Sequence, residues 1–127
     1  MTTLTDKIRE YNKGVVSNPY QGKDKKVLFV CSAGILRSDT AARMYAGKYN
    51  TRCAGTGMEY ALIKLDEQLM DWADEIVFVT PWNYDQAGFY FDLVPYSDKM
   101  KVLNIPDEHE HMAPELVQAF EEQYEKV

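Results

Sequence analysis

The stretch "KVLFVC", residues 26–31, constrains the fold more than any other part of the chain. It is a short continuous apolar run entered from charged residues, the pattern of a strand buried on both faces, and such strands belong to parallel sheets covered by helices. A loop, "SAGILR", leads straight into "SDTAARMYAGKY", where Ser38 is placed to cap a helix running to Tyr49, with Asp39 in its first turn. The alternation then repeats. "TRCAGTG" reads as a second strand ending in a glycine turn, and "LIKLDEQLMDWA" as an amphipathic helix with Leu62, Leu65, Leu69 and Trp72 on one side. "EIVFVT" is a third buried strand, "PWNYDQAGFYFDLV" a helix or an irregular aromatic segment, "KVLNIP" a fourth strand, and "PELVQAFEEQYEKV" a last helix opened by Pro114. The expected fold is α/β: a single three-layer domain with a four-stranded parallel sheet, helices on both faces and a loop after the first strand that leads straight into a helix.

A length of 127 residues suits one ordinary domain with one real core. Residues 1–25 read as an extension, partly helical around Leu4 to Tyr11, and residues 26–127 as the α/β domain. The formal net charge of −6 sets the field of the whole molecule against nucleic acid and anionic membrane surfaces, so neither is expected as a partner. An anionic ligand must then be held by a local positive site. With no apolar signal-peptide core in "MTTLTDKIREYNKG" and no stretch of membrane-spanning length, a cytoplasmic location is expected. The two cysteines, Cys31 and Cys53, are too few for a disulfide framework or a four-thiolate metal site.

In sheets of this kind ligands bind where strand C-termini meet helix N-termini, and Cys31 and Asp107 both fall just beyond the ends of expected strands. A loop turning from strand into helix points backbone N–H groups inward, and the helix adds the positive end of its dipole. That is a cradle for an oxyanion, formed here by Ser32, Ala33, Gly34, Ile35, Leu36 and Arg37. A cysteine at its mouth is held as the thiolate, which makes Cys31 a nucleophile. Arg37 closes the loop with a planar fork able to grip two oxygens of a phosphoryl group through the transition state. Gly34 suits a turn that needs positive φ or close backbone approach. Ser38 can donate to the cysteine sulfur and help the thiolate leave when an intermediate is hydrolysed.

"VLFVCSAGILRS" resembles the active-site loop of the low-molecular-weight protein tyrosine phosphatases, which place Cys-x5-Arg-Ser directly after the first strand. "CAGTG" is similar to that family's Ser-Ala-Gly-Thr segment, "WADEIVFV" to its strand after a paired helix, and "IPDEHEHMAPEL" to its late Asp-containing loop, the last most like a compact bacterial and phage branch. The likeness runs from about Lys26 to the C-terminus. It implies a phosphomonoester hydrolase, protein tyrosine phosphatase-like, that works through a phosphocysteine on Cys31 without metal or cofactor, on a phosphorylated protein or a small phosphomonoester. It also implies that Asp107 is the general acid and then the base, with Asp39, Asp92 and Asp98 as fallbacks, and that Ser32 and His109 line the substrate wall.

Three positions depart from the family pattern. Gly34 replaces an Asn that ties the loop to neighbouring hydroxyls, so a looser loop is expected. Leu36 replaces a second loop cysteine, which leaves Cys53 as either a resolving thiol or a packed one. Glu108, His109, Glu110 and His111 stand where aromatic residues follow the catalytic Asp, leaving "WNYDQAGFYF" as the other source of an aromatic wall.

Rival readings exist. "DEHEH" alone reads as a metal cluster of a metal-assisted hydrolase. Arsenate reductases share the scaffold but need further cysteines to carry away oxidising equivalents, and this chain has none after residue 53. A third reading is a module on the same fold that binds phosphate or a phosphoprotein with weak or no turnover. Oligomeric state stays open.

Overall fold

A computed structural model describes residues 25–32, 37–61, 63–106 and 112–125. Its elements are β1 (Lys26–Cys31), α1 (Arg37–Met44), β2 (Asn50–Gly55), α2 (Glu67–Trp72), β3 (Glu75–Phe78), α3 (Pro81–Tyr90), a 3-10 turn (Val94–Lys99), β4 (Met100–Val102) and α4 (Pro114–Phe120), which continues into a π-helical turn (Glu121–Glu125). The four strands form one parallel sheet in the order β2-β1-β3-β4. The chain steps outward from β1 to β2 and then crosses back to β3, so its winding reverses between β1 and β3. A crevice opens at such a switch point, beyond the carboxyl ends of the strands.

Alternation along β1 divides the core. Val27, Phe29 and Cys31 join Val77 and Val79 under α1 and α4, with Ala41, Ala42, Leu116 and Phe120. Leu28 and Val30 join Ile76 and Phe78 on the other face, against Met70 of α2 and Ala87 of α3. Both faces of β1 and β3 are therefore covered, which is why their sequences are unbroken apolar runs. On the first face Phe29 meets Phe120 edge-on at 6.3 Å and Tyr124 edge-on at 5.5 Å, the preferred aromatic geometry.

Several element bounds differ from those expected. α1 ends at Met44, since Gly47 is a poor helix former and the chain must turn before β2. The helix opens at Arg37, so Ser38 sits in its first turn and not at the capping position. α2 is only Glu67–Trp72: Asp66 caps it by accepting from the Leu69 amide at 2.8 Å. The residues before it are extended beside β2, with Gly55 N donating to Ile63 O at 2.7 Å and Leu65 N to Gly55 O at 2.9 Å. The aromatic segment is a helix, capped by Thr80 and opened by Pro81. β4 is a three-residue edge strand with half-buried and exposed side chains, although Leu103 N and Ile105 N still donate to Phe78 O at 2.8 Å and Val79 O at 3.0 Å. Among the described residues no helix is long and apolar enough to cross a membrane.

Candidate active site

β1 delivers Cys31 to the carboxyl edge of the sheet, where its carbonyl accepts from the Thr56 amide at 2.9 Å and Val30 O accepts from Val79 N at 2.9 Å. The thiol is buried, and its Sγ is hydrogen-bonded to Ser38 Oγ at 3.1 Å. Arg37, only 4% exposed, begins α1 beside it. One arm of its guanidinium donates to Ile105 O at 2.9 Å, and the other reaches Ser32 Oγ at 3.4 Å. The thiol, the guanidinium and the two hydroxyls thus converge at the switch point between β1 and β3.

A second set of polar groups comes from α3. Asn83 is fully buried and its amide nitrogen donates to Ser32 Oγ at 3.0 Å and to Thr56 Oγ1 at 3.2 Å. Its carbonyl oxygen accepts from Thr80 Oγ1 at 2.8 Å, and the Thr56 hydroxyl donates onward to Gln86 Oε1 at 2.6 Å. A buried amide costs free energy unless paired, and here both its hydrogens and its oxygen are engaged. Ser32 is thereby tied to a helix on the opposite face of the sheet. Asn83 escaped sequence reading, its only signal a lone Asn shortly after Thr80-Pro81, whereas Thr56 lies in the "CAGTG" segment that carried part of the resemblance.

A cleft of about 420 Å³ opens here, lined by Ser32, Arg37, Thr80, Pro81, Trp82 and Asn104. Its floor carries the cation and its rim the two-thirds-exposed Trp82 indole. Another cleft of about 400 Å³, with Tyr84, Asp92 and Leu93 in its lining, lies at the far end of α3.

The fallback acids are accounted for elsewhere. Asp39 is fully buried and salt-bridged to Arg43 at 2.7 Å, Asp92 accepts from the Val94 amide at 3.1 Å, and Asp98 lies in the 3-10 turn. Cys53 is buried, with its Sγ 3.9 Å from Asp39 Oδ1. The register puts Cys53 opposite Phe29, two residues back from Cys31 on the neighbouring strand, which sets the two Cα atoms about 8 Å apart. Disulfides rarely span more than about 7 Å, so in this arrangement Cys53 is a packed thiol beyond disulfide reach of Cys31. Asp107, His109 and the loop residues Ala33, Gly34, Ile35 and Leu36 lie outside the described residues, as does the whole "DEHEH" segment.

No protein-family model and no curated protein matches the sequence. Solved structures do. The tyrosine phosphatase Wzb from Escherichia coli K30, in complex with phosphate, superposes with a TM-score of 0.60 at 16% identity, over 78% of this chain and 92% of that one. Wzb from Vibrio vulnificus in complex with benzylphosphonate gives 0.59 at 16% identity, over 77% and 90%. The fold is that of the low-molecular-weight phosphatases. The YwlE arginine phosphatase from Geobacillus stearothermophilus shares it as well, with a TM-score of 0.57 at 20% identity, over 77% of this chain and 84% of that one. Within this low-molecular-weight phosphatase fold, Cys31 ends the first strand as the sequence resemblance implied.

Proposed function

We propose that the chain is a cysteine-dependent phosphomonoester hydrolase, cytoplasmic and independent of metal, that acts on a phosphorylated protein or small phosphomonoester. The observation that carries this reading is the convergence of Cys31, Arg37 and Ser38 at the switch point, with Cys31 Sγ hydrogen-bonded to Ser38 Oγ at 3.1 Å. The thiolate of Cys31 attacks phosphorus in line, and the phosphorus–oxygen bond to the leaving group breaks as Asp107 gives its proton to the departing oxygen. Arg37 and the amides of residues 32–37 hold the equatorial oxygens, where charge is concentrated in the transition state. Water then attacks the phosphocysteine and Asp107, now a carboxylate, takes its proton. The sulfur–phosphorus bond breaks, the Ser38 hydroxyl donating to the returning thiolate.

The test is phosphate release from a generic aryl phosphate at mildly acidic pH with chelator present, by wild type, Cys31→Ser and Asp107→Asn, with mass spectrometry of acid-quenched samples. Turnover in chelator that Cys31→Ser abolishes, with a phosphoryl adduct on Cys31, is the expected result. Asp107→Asn should turn over about 10²–10⁴ times more slowly and still form the adduct. Phosphate binding without turnover or adduct would point to a binding module, and loss of turnover in chelator to a metal site at "DEHEH".

A further inference from the structure

We propose that the Ser32 hydroxyl is a fixed hydrogen-bond donor to the bound oxyanion, and that Asn83 is the positioning residue that fixes it. The inference rests on the anion site described above and adds to it a side-chain donor and the group that orients it. A serine hydroxyl has two acceptor lone pairs and one hydrogen. Ser32 Oγ accepts from Asn83 Nδ2 at 3.0 Å and from Arg37 Nη2 at 3.4 Å, so N–H donors occupy both lone pairs. No acceptor among the described residues takes its proton. Ser32 lines the cleft beside Arg37, and the cleft is where that proton is left to point.

The direction of the Asn83 amide follows from its neighbours. Thr80 accepts from the Asn83 backbone N–H at 3.2 Å and donates its own proton to Oδ1 at 2.8 Å. Thr56 gives its proton to Gln86 Oε1 at 2.6 Å and so meets Asn83 as an acceptor. With the amide turned over, Thr80 would face a donor with its proton stranded, and Thr56 would need a second proton. The chain of donors therefore runs one way, from Thr80 through Asn83 to Ser32, and ends at the cleft. A donor whose orientation is settled before the anion arrives loses nothing to reorganisation when charge builds on the phosphoryl oxygens.

The experiment measures binding of inorganic phosphate by calorimetry to the full chain as wild type, Ser32→Ala, Ser32→Thr, Asn83→Ala and the Ser32→Ala/Asn83→Ala double variant, with a melting curve for each. Loss of a hydrogen bond to a charged group predicts about 10-fold or more weaker phosphate binding in Ser32→Ala. Ser32→Thr should restore most of it. The double variant should bind no more weakly than the worse single one, because Asn83 acts through Ser32. Unchanged phosphate affinity in Ser32→Ala, or additive losses in the cycle, overturns the proposal, and Ser32→Ala decides the matter even where Asn83→Ala unfolds. The catalytic reading is judged separately by the phosphoryl adduct on Cys31. An adduct in wild type with Ser32→Ala binding normally defeats this inference alone. Ser32-dependent phosphate binding with no adduct defeats catalysis and supports this inference. No phosphate binding by wild type defeats the inference together with the anion site beneath it.

Discussion

Ser38 Oγ lies 3.1 Å from Cys31 Sγ, joining the first turn of α1 to the last residue of β1 across seven positions of sequence. The hydroxyl stands where a thiolate leaving from phosphorus would gather charge. Ser38→Ala should therefore slow breakdown of the phosphoenzyme more than its formation, lowering kcat about 10-fold. Rapid-quench kinetics should then show a pronounced burst of leaving group and a larger steady-state adduct. An equal slowing of both phases would assign Ser38 to loop geometry instead.

Arg37 reaches Ile105 O on one side and Ser32 Oγ on the other with a single planar group. A lysine has one charged tip and cannot span both. Arg37→Lys should lower kcat/KM by about 10² or more while the melting temperature moves little, since removal of one oxyanion donor typically costs that much. Steady-state rates beside a melting curve check this, and near-normal kcat/KM would show that charge alone suffices.

Asp39 is a fully buried carboxylate bonded to Arg43 one turn along α1. Its position belongs to the scaffold. Asp39→Asn should destabilise the fold by about 1–3 kcal/mol in denaturant titrations and leave in place the alkaline limb of the pH–rate profile, where a proton donor is lost. A profile that loses that limb would make Asp39 the proton donor.

Glu75 is buried at the start of β3, and burial by itself pushes its carboxyl pKa up. The Tyr124 hydroxyl at 2.7 Å, the Lys25 ammonium at 3.0 Å and Lys101 at 3.3 Å outweigh that and bring it below the ordinary glutamate value. A carboxyl depressed in the folded state stabilises the fold above its unfolded pKa, and the stabilisation is lost as pH falls through the folded one. Wild type should accordingly lose more stability than Glu75→Gln between roughly pH 6 and roughly pH 3. Parallel midpoint-versus-pH curves for the two proteins would remove Glu75 from the account.

What the sequence revealed divides along physical lines. β1 and β3 were legible because strands covered on both faces must be apolar throughout, and α4 because Pro114 marks its start. β4 was overdrawn, since an edge strand has few partners and its ladder fades after Val102 into two isolated bonds. α2 was overdrawn too: the leucine spacing suits a helix, but Lys64 and Leu65 are spent on the backbone beside Gly55, and Asp66 sets the true start. At the site, Cys31, Arg37 and Ser38 lie close together in sequence and show as a motif. Asn83 acts 51 positions from Ser32, and no local pattern encodes a contact between two helical layers.

The division of the core by alternate residues of β1 has a mechanical consequence. α1 and α3 lie on opposite faces of the sheet, each bound to its own apolar layer, yet at the carboxyl edge Arg37 of the one and Asn83 of the other grip the same serine oxygen. Ser32 therefore joins the two slabs at this edge of the sheet. An anion seated beside it should stiffen both slabs together, seen as slower amide hydrogen exchange in the first turns of α1 and α3 at once.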